Sequence, residues 1–321
     1  MKIAILDDYQ DVVRQLKCFA LLDAHEVIVL NQSLDEDELV QQLSDIEVLV
    51  LIRERTEITE SLLSRLPNLK LISQTGKVSN HIQPSVCHQF DVEVAEGVGS
   101  PVVPAELCWA LIMSASRHIP AYAANLLNDK WQDSGELGLG RSLSGLTLGI
   151  WGYGKIGKRI AHYANAFDMK VLVWGSETSR QAARDDGFSA ASSKADFFTN
   201  GDIVSLHLRL NEVTRQCVSA ADLALMKSDA LFVNTSRAEL VEAGALYQTL
   251  SQNPSKRAAI DVYDNEPASL ESEPLIGLKN VTALPHLGYV EQNSYELYFK
   301  MAFENVLAFA KGEPRHLISR A

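Results

Sequence analysis

The sequence predicts an α/β protein built from two doubly wound parallel-sheet domains. Apolar, β-branched runs of strand length alternate with helix-period stretches along the whole chain, the pattern left by parallel sheets covered with helices. The runs fall into two series separated by a Gly- and Ser-rich stretch. The length of 321 residues is too great for one ordinary domain and suits two.

In the first series the strand candidates are Lys2–Leu6, Glu26–Leu30, Glu47–Ile52, Leu69–Ser73 and Val92–Ala95, with helical stretches at Asp35–Leu43 and Glu60–Leu66 between them. Pro101 and Pro104 then precede a strongly apolar helix running from Ala105 to Ile119, because proline fits a helix only in or before its first turn. Trp131–Gly145 reads as the loop into the second series. There the strand candidates are Thr147–Trp151, Lys170–Trp174, Ile203–His207, Ala230–Asn234, Ala258–Val262 and Val281–Ala283. A long helix from about Val290 to Lys311 is stopped by Gly312 and then Pro314.

Composition narrows the class. With 46% apolar and 22% charged residues, the chain is neither disordered nor a disulfide scaffold. A formal charge of −12 argues against nucleic acid or an anionic membrane as the main partner, although a few local cations can still hold a small anionic substrate. The N-terminus meets acid after a handful of apolar residues, too few for a signal-peptide core, and no apolar stretch approaches the ~20 residues of a membrane span. A soluble, cytoplasmic protein is expected. Cys18, Cys87, Cys108 and Cys217 lack CxxC spacing and read as reduced thiols, mostly in the core. His81 and the Cys87-His88 pair have no second pair at ligand spacing, so no metal is expected.

The sharpest local signal is Gly152-Tyr-Gly154-Lys155-Ile156-Gly157, in which a strand runs into GxGxxG and then into a helix with Ile156, Ile160, Ala164 and Phe167 on one face. The first glycine permits a tight turn, the second lets the backbone approach a pyrophosphate, and the third brings helix close to strand. The free N–H groups of the helix start then face the phosphates. The following strand should end in an acid that accepts from the adenosine ribose of NAD. Gly175 stands there instead, followed by Ser176, Glu177 and Arg180.

Downstream come VNTSR (Val233–Arg237), DVYDNEP (Asp261–Pro267) and PHLGY (Pro285–Tyr289). In this order, and with the glycine fingerprint, they resemble the D-isomer-specific 2-hydroxyacid dehydrogenases over nearly the whole chain. The resemblance implies that Arg237, Glu266 and His286 are the catalytic set. Chemistry asks for the same types. A keto oxygen receiving a hydride on its carbon needs a proton donor, which a histidine near neutrality provides. A carboxylate orients that ring, and a planar guanidinium holds a substrate carboxylate at two points. Taken singly, His286 reads as a structural histidine, Glu266 as a turn acid and Arg237 as a surface residue; it is the matched triple that carries the reading.

The resemblance further implies that Asp261 accepts from the nicotinamide carboxamide, that Thr235 lies near the cofactor, and that the loop carrying Gly76, Lys77 and Val78 touches the substrate carboxylate. It implies a flavodoxin-like substrate domain, 1–99 with 285–321, and a Rossmann cofactor domain, 100–284. It also implies a hinge between the two, and a homodimer. Several residues depart from the family pattern. Ala238 replaces the usual glycine after the catalytic arginine. In Ser205-Leu-His207-Leu-Arg209, Arg209 replaces a common proline beside the adenine pocket. His207 and Arg209 join the expected cofactor contacts. Arg180 and Arg209, set against Glu177, tip the balance modestly from NADH towards NADPH. The expected substrate is a small 2-keto or 2-hydroxy acid of the glyoxylate or hydroxypyruvate type. The competing reading is a dinucleotide-sensing interaction protein of the corepressor type, whose partner-binding extensions this chain has little room for.

Overall fold

Residues 1–319 are described by a computed structural model, in which the chain separates into two units. The first comprises Met1–Ser100 and the residues from Val290 onward; the second is Pro101–Tyr289.

The first unit holds a five-stranded parallel sheet of β1 (Lys2–Ile5), β2 (Glu26–Val29), β3 (Val48–Leu51), β4 (Leu71–Gln74) and β5 (Glu93–Ala95). Its order, β2-β1-β3-β4-β5, is the flavodoxin-like one. Helices α1 (Glu36–Leu43), α2 (Glu60–Ser64) and α3 (Pro84–Gln89) connect the strands, and the long C-terminal helix Gln292–Ala310 returns to cover the sheet. Strand β3, Val-Leu-Val-Leu, is buried at every position, because a parallel strand has helices on both faces. The Ser73 hydroxyl donates to the Ala302 carbonyl at 2.9 Å, which fastens the C-terminal helix to β4.

The second unit opens with α4 (Val102–Ser116) and α5 (Ile119–Leu126). It continues as β6 (Thr147–Trp151), α6 (Lys155–Ala166), β7 (Lys170–Trp174), α7 (Glu177–Asp185), β8 (Ser189–Ala190), α8 (Lys194–Asn200) and β9 (Ile203–Leu206). It closes with α9 (Ala220–Leu225), β10 (Leu231–Asn234), α10 (Ala245–Gln252), β11 (Arg257–Ile260) and β12 (Val281–Ala283). The seven parallel strands follow the order β12-β11-β10-β9-β6-β7-β8, a Rossmann sheet whose order reverses between β6 and β9. One face packs Cys108, Ile112, Ile150 and Ile160; the other packs Phe197, Phe198, Val204 and Phe232.

Three details differ from the sequence expectation. The apolar helix does not run through Ile119. It stops at Ser116, His118 adopts a left-handed backbone (φ 54°), and α5 starts anew. Pro120 explains the break: in a continuous helix its ring would clash with the carbonyl of Ser116, whereas the first turn of a new helix tolerates it. Phe167, expected on the inner face of α6, is the C-cap and 41% exposed. Residues 285–289 group with the second unit rather than the first, because Leu287 and Gly288 donate their N–H groups to Asp261. No helix among the described residues is long and apolar enough to cross a membrane. Cys18, Cys87 and Cys108 are buried and free.

Candidate active site

Strand β6 is followed by Gly152, whose φ of +100° disfavours side-chain-bearing residues. A Cβ there would fall 2.4 Å from the His207 carbonyl oxygen, and one on Gly157 would fall 2.1 Å from the Gly152 carbonyl oxygen. The turn therefore closes only on glycine. At Gly154, by contrast, a Cβ would meet nothing within 4 Å, so this stretch of backbone faces open space. The first-turn N–H groups of α6, on Lys155, Ile156 and Gly157, have no carbonyl partner within the helix, and Gly154 offers no capping side chain. Open space beside unsatisfied donors at a helix start fits a pyrophosphate.

Past β7, Gly175 has φ +148° and Ser176 caps α7 by accepting from the Ser179 N–H. The Glu177 carboxylate binds Arg180 at 2.6 Å and also pairs with Arg184, so two cations share one anion. The Arg180 guanidinium lies over the Trp174 ring at 4.9 Å. Arg209 is exposed on the turn after β9. His207 Nε2 lies 2.9 Å from the Ser205 hydroxyl, and burial pushes its pKa down to about 4, so the ring is neutral at pH 7.

The ends of β10, β11 and β12 lie side by side, with Asn234 in register with Ile260 and Ile260 with Ala283. Each strand delivers one part of the site. After β10, the Asn234 amide donates to the Arg237 carbonyl at 2.8 Å and accepts from the Ser236 N–H at 3.0 Å, which stiffens the Thr235–Arg237 turn. Arg237 Nη1 donates to the Ser236 carbonyl at 2.6 Å. Ala238 begins a 3-10 turn and lies outside the left-handed region, so a glycine is not required there. After β11, Asp261 is fully buried and accepts from the Leu287 N–H at 2.7 Å and the Gly288 N–H at 2.8 Å. Burial raises its pKa to about 6, against the lowering effect of those two donors.

Asp261 thus seats the loop carrying His286, which has φ 52°. His286 Nδ1 lies 2.7 Å from Glu266 Oε2, while Glu266 Oε1 accepts from the Tyr263 N–H at 3.0 Å. The glutamate is held at both oxygens, and the ring leans edge-on against Tyr289 at 5.4 Å. With Nδ1 engaged, Nε2 is the nitrogen left for proton exchange. The contact with Glu266 fixes the orientation of the ring.

In the first unit, the Gly76 turn follows β4, and its carbonyl accepts from the Gly97 N–H at 2.7 Å. Lys77, expected to add positive charge, has its ammonium on Glu96. Arg53 was not singled out from the sequence, yet its guanidinium packs on Gly76, where a Cβ would fall 2.0 Å from Nη1. The Arg53-Glu54-Arg55 run at the end of β3 was the available signal, since sheets of this type place ligands beyond their strand C-termini.

Residues 109–288 match the family model described as D-isomer specific 2-hydroxyacid dehydrogenase, NAD binding domain. The D-3-phosphoglycerate dehydrogenase of Methanocaldococcus jannaschii is 28% identical over 98% of this chain, which spans only 58% of that relative's length. The glyoxylate reductase of Aeropyrum pernix is 32% identical over 81% of this chain and 79% of its own. Among solved structures, a phosphoglycerate oxidoreductase from Vibrio cholerae o395 is 61% identical, with a TM-score of 0.96 over 97% of this chain and 99% of the other.

Proposed function

Because this chain belongs to the D-isomer-specific 2-hydroxyacid dehydrogenase family, we propose that it reduces a small 2-keto acid to the D-2-hydroxy acid with NAD(P)H, and runs the reverse oxidation. The observation that carries this reading is the His286–Glu266 pair at 2.7 Å, on the same sheet edge as the glycine turn. When bound, the reduced nicotinamide supplies the hydride. The Arg237 guanidinium takes the substrate carboxylate at two points and so turns the keto group. His286 gives the proton on Nε2 to the keto oxygen as charge develops there, while Glu266 holds the Nδ1 side and fixes the ring's orientation. Asp261 keeps the His286 loop seated. On the family pattern, Gly76, Lys77 and Val78 are assigned to the substrate carboxylate, and Thr235 and His207 to the cofactor's surroundings.

The reading extends to substrate and cofactor. A glyoxylate- or hydroxypyruvate-type acid is proposed, on the family pattern. NADPH is proposed over NADH because Gly175 removes the ribose acid and the one nearby carboxylate, Glu177, is shared by Arg180 and Arg184, so that two cations stand against one anion where a 2′-phosphate would lie. A homodimer is also proposed. Leu127, Trp131 and Leu139 are 87%, 78% and 91% exposed, a dense run of bare apolar side chains for a single copy.

The test is a steady-state panel of glyoxylate, hydroxypyruvate, pyruvate and bulkier 2-keto acids, each with NADH and NADPH. Oxidation of NADPH with the two smallest hydroxyl- or hydrogen-bearing acids is expected. Failure of every keto acid with both dinucleotides overturns the reading. Light scattering at a mass near 35 kDa at micromolar concentration overturns the dimer.

A further inference from the structure

At the edge of the second-unit sheet opposite the glycine turn, where β11 and β12 begin, lies a cavity of about 270 Å3. The proposed reaction uses no residue of its lining. Arg257, the first residue of β11, lines it, and its side chain has neither a hydrogen bond nor an ion pair among the described residues. The nearest opposing charge, Asp229, is taken by Arg141 at 3.4 Å. Lys279 also lines the cavity, but its ammonium is bound to Glu136 at 2.5 Å. Arg257 is therefore the cation left uncompensated.

Two further features converge on the same space. His118 lines the cavity, is 3% exposed, and its Nε2 is buried with no hydrogen-bond partner. An orphaned nitrogen at this depth is uncommon, because leaving it unpaired costs the full desolvation of the group. The start of α5 forms another wall through Pro120 and Ala121. No side chain caps this helix, so the N–H groups of Ile119 and Ala121 add donors and the positive end of a helix dipole.

An unpaired guanidinium and a helix start ask for an anion. The histidine sharpens the choice. Burial, with Arg257 and Arg141 nearby, pushes the His118 pKa below its ordinary value, so the neutral ring favours a ligand that can itself present a hydroxyl. A phosphoryl group, with its second ionisation near pH 6, offers both O− and O–H, whereas a carboxylate at neutral pH offers acceptors only. Leu137, Ile276 and Leu278 give the rest of the cavity an apolar lining suited to a short carbon tail.

We propose that this cavity binds a small phosphoryl-bearing anion, with Arg257 and the start of α5 holding its oxygens and His118 Nε2 pairing with the remaining P–O group. The site is separate from the pyrophosphate turn, which lies at the other end of the strands.

The experiment is isothermal titration of the full chain with inorganic phosphate, and separately with acetate, at ionic strength matched with chloride and in saturating NADPH so that the glycine turn is occupied. Saturable phosphate binding is expected, with acetate at least tenfold weaker. Arg257→Gln should weaken phosphate at least tenfold, as befits loss of a charge-assisted hydrogen bond, and Arg257→Lys should recover most of it. His118→Asn, which tolerates the left-handed backbone, should weaken phosphate severalfold and serves if Arg257→Gln fails to fold. Absence of saturable binding, or binding that Arg257→Gln leaves unchanged, overturns the proposal. So does an Arg257→Gln protein whose oligomeric mass shifts while its phosphate affinity does not, since the cavity then belongs to a contact between copies.

Discussion

Replacing Asp261 by asparagine sets two opposing quantities against each other. The wild-type carboxylate is fully buried and accepts two backbone N–H groups, from Leu287 and Gly288. An asparagine has one carbonyl oxygen, so its NH2 must face the second N–H, donor against donor, at a cost of about 1–3 kcal/mol. Against this, ionising the buried acid is itself unfavourable. The rise of its pKa from 3.8 to about 6, caused first by burial, corresponds to about 3 kcal/mol. Because the folded pKa lies above the unfolded one, this acid's stabilising contribution is fully present below about pH 3.8 and is lost as pH rises through about 6. Asp261→Asn has no such dependence.

The variant should therefore be less stable than wild type by about 1–3 kcal/mol near pH 4, and equal to it or more stable by up to about 2 kcal/mol at pH 8. Urea unfolding of both proteins across that range reads the difference, which cancels the other titrating groups. Turnover follows a separate course. The re-seated loop misplaces His286, so kcat should fall at least tenfold at pH 8 even though stability there is restored. A stability difference that does not change with pH refutes the electrostatic argument. Wild-type kcat refutes the claim that Asp261 positions His286.

Glu266→Gln removes the charge from a hydrogen bond of 2.7 Å and should lower kcat by roughly 10- to 100-fold, with dinucleotide affinity by fluorescence titration unchanged. Gly157→Ala forces a Cβ to within 2.1 Å of the Gly152 carbonyl, so the turn must open and the NADPH Kd should rise at least tenfold in the same titration. Arg180→Ala should reduce the ratio of kcat/KM for NADPH over NADH by about fivefold to tenfold, a modest figure because Glu177 and solvent both screen this arginine.

How far the sequence could be read depended on how local each signal was. The alternation of apolar runs marks every strand of both sheets except β8, whose two residues, Ser189 and Ala190, are too short and too small to carry a period. The glycine turn is legible because its geometry is set within six residues. The short motifs around Arg237, Glu266 and His286 are legible because each stands beyond the end of its own strand. The functional assignments of these residues rest on the proposal above.

What stayed hidden depends on contacts distant in sequence. Nothing near Lys77 announces Glu96 as its partner, and nothing near Asp261 announces that Leu287 and Gly288 will occupy both of its oxygens. Arg53 and Gly76 come together only because β3 and β4 are neighbours in the sheet. The break at His118 had a local cause, Pro120, but the even hydrophobicity of the Ala105–Ile119 run concealed it. The cavity at Arg257 gathers residues from α5, β11 and β12, and no periodicity encodes the absence of a partner.

Isotopic labelling follows the hydride itself. Full-length protein is incubated with nicotinamide dinucleotide deuterated at C4 of the reduced ring, supplied separately on each face, and hydroxypyruvate. The product is then analysed by mass spectrometry and by chiral separation. One deuterium is expected at C2 of D-glycerate from one face of the ring, with no label from the other and none acquired from deuterated solvent at that carbon. An L-configured product, or C2 hydrogen drawn from solvent, would contradict hydride transfer to a substrate oriented by Arg237 and protonated by His286.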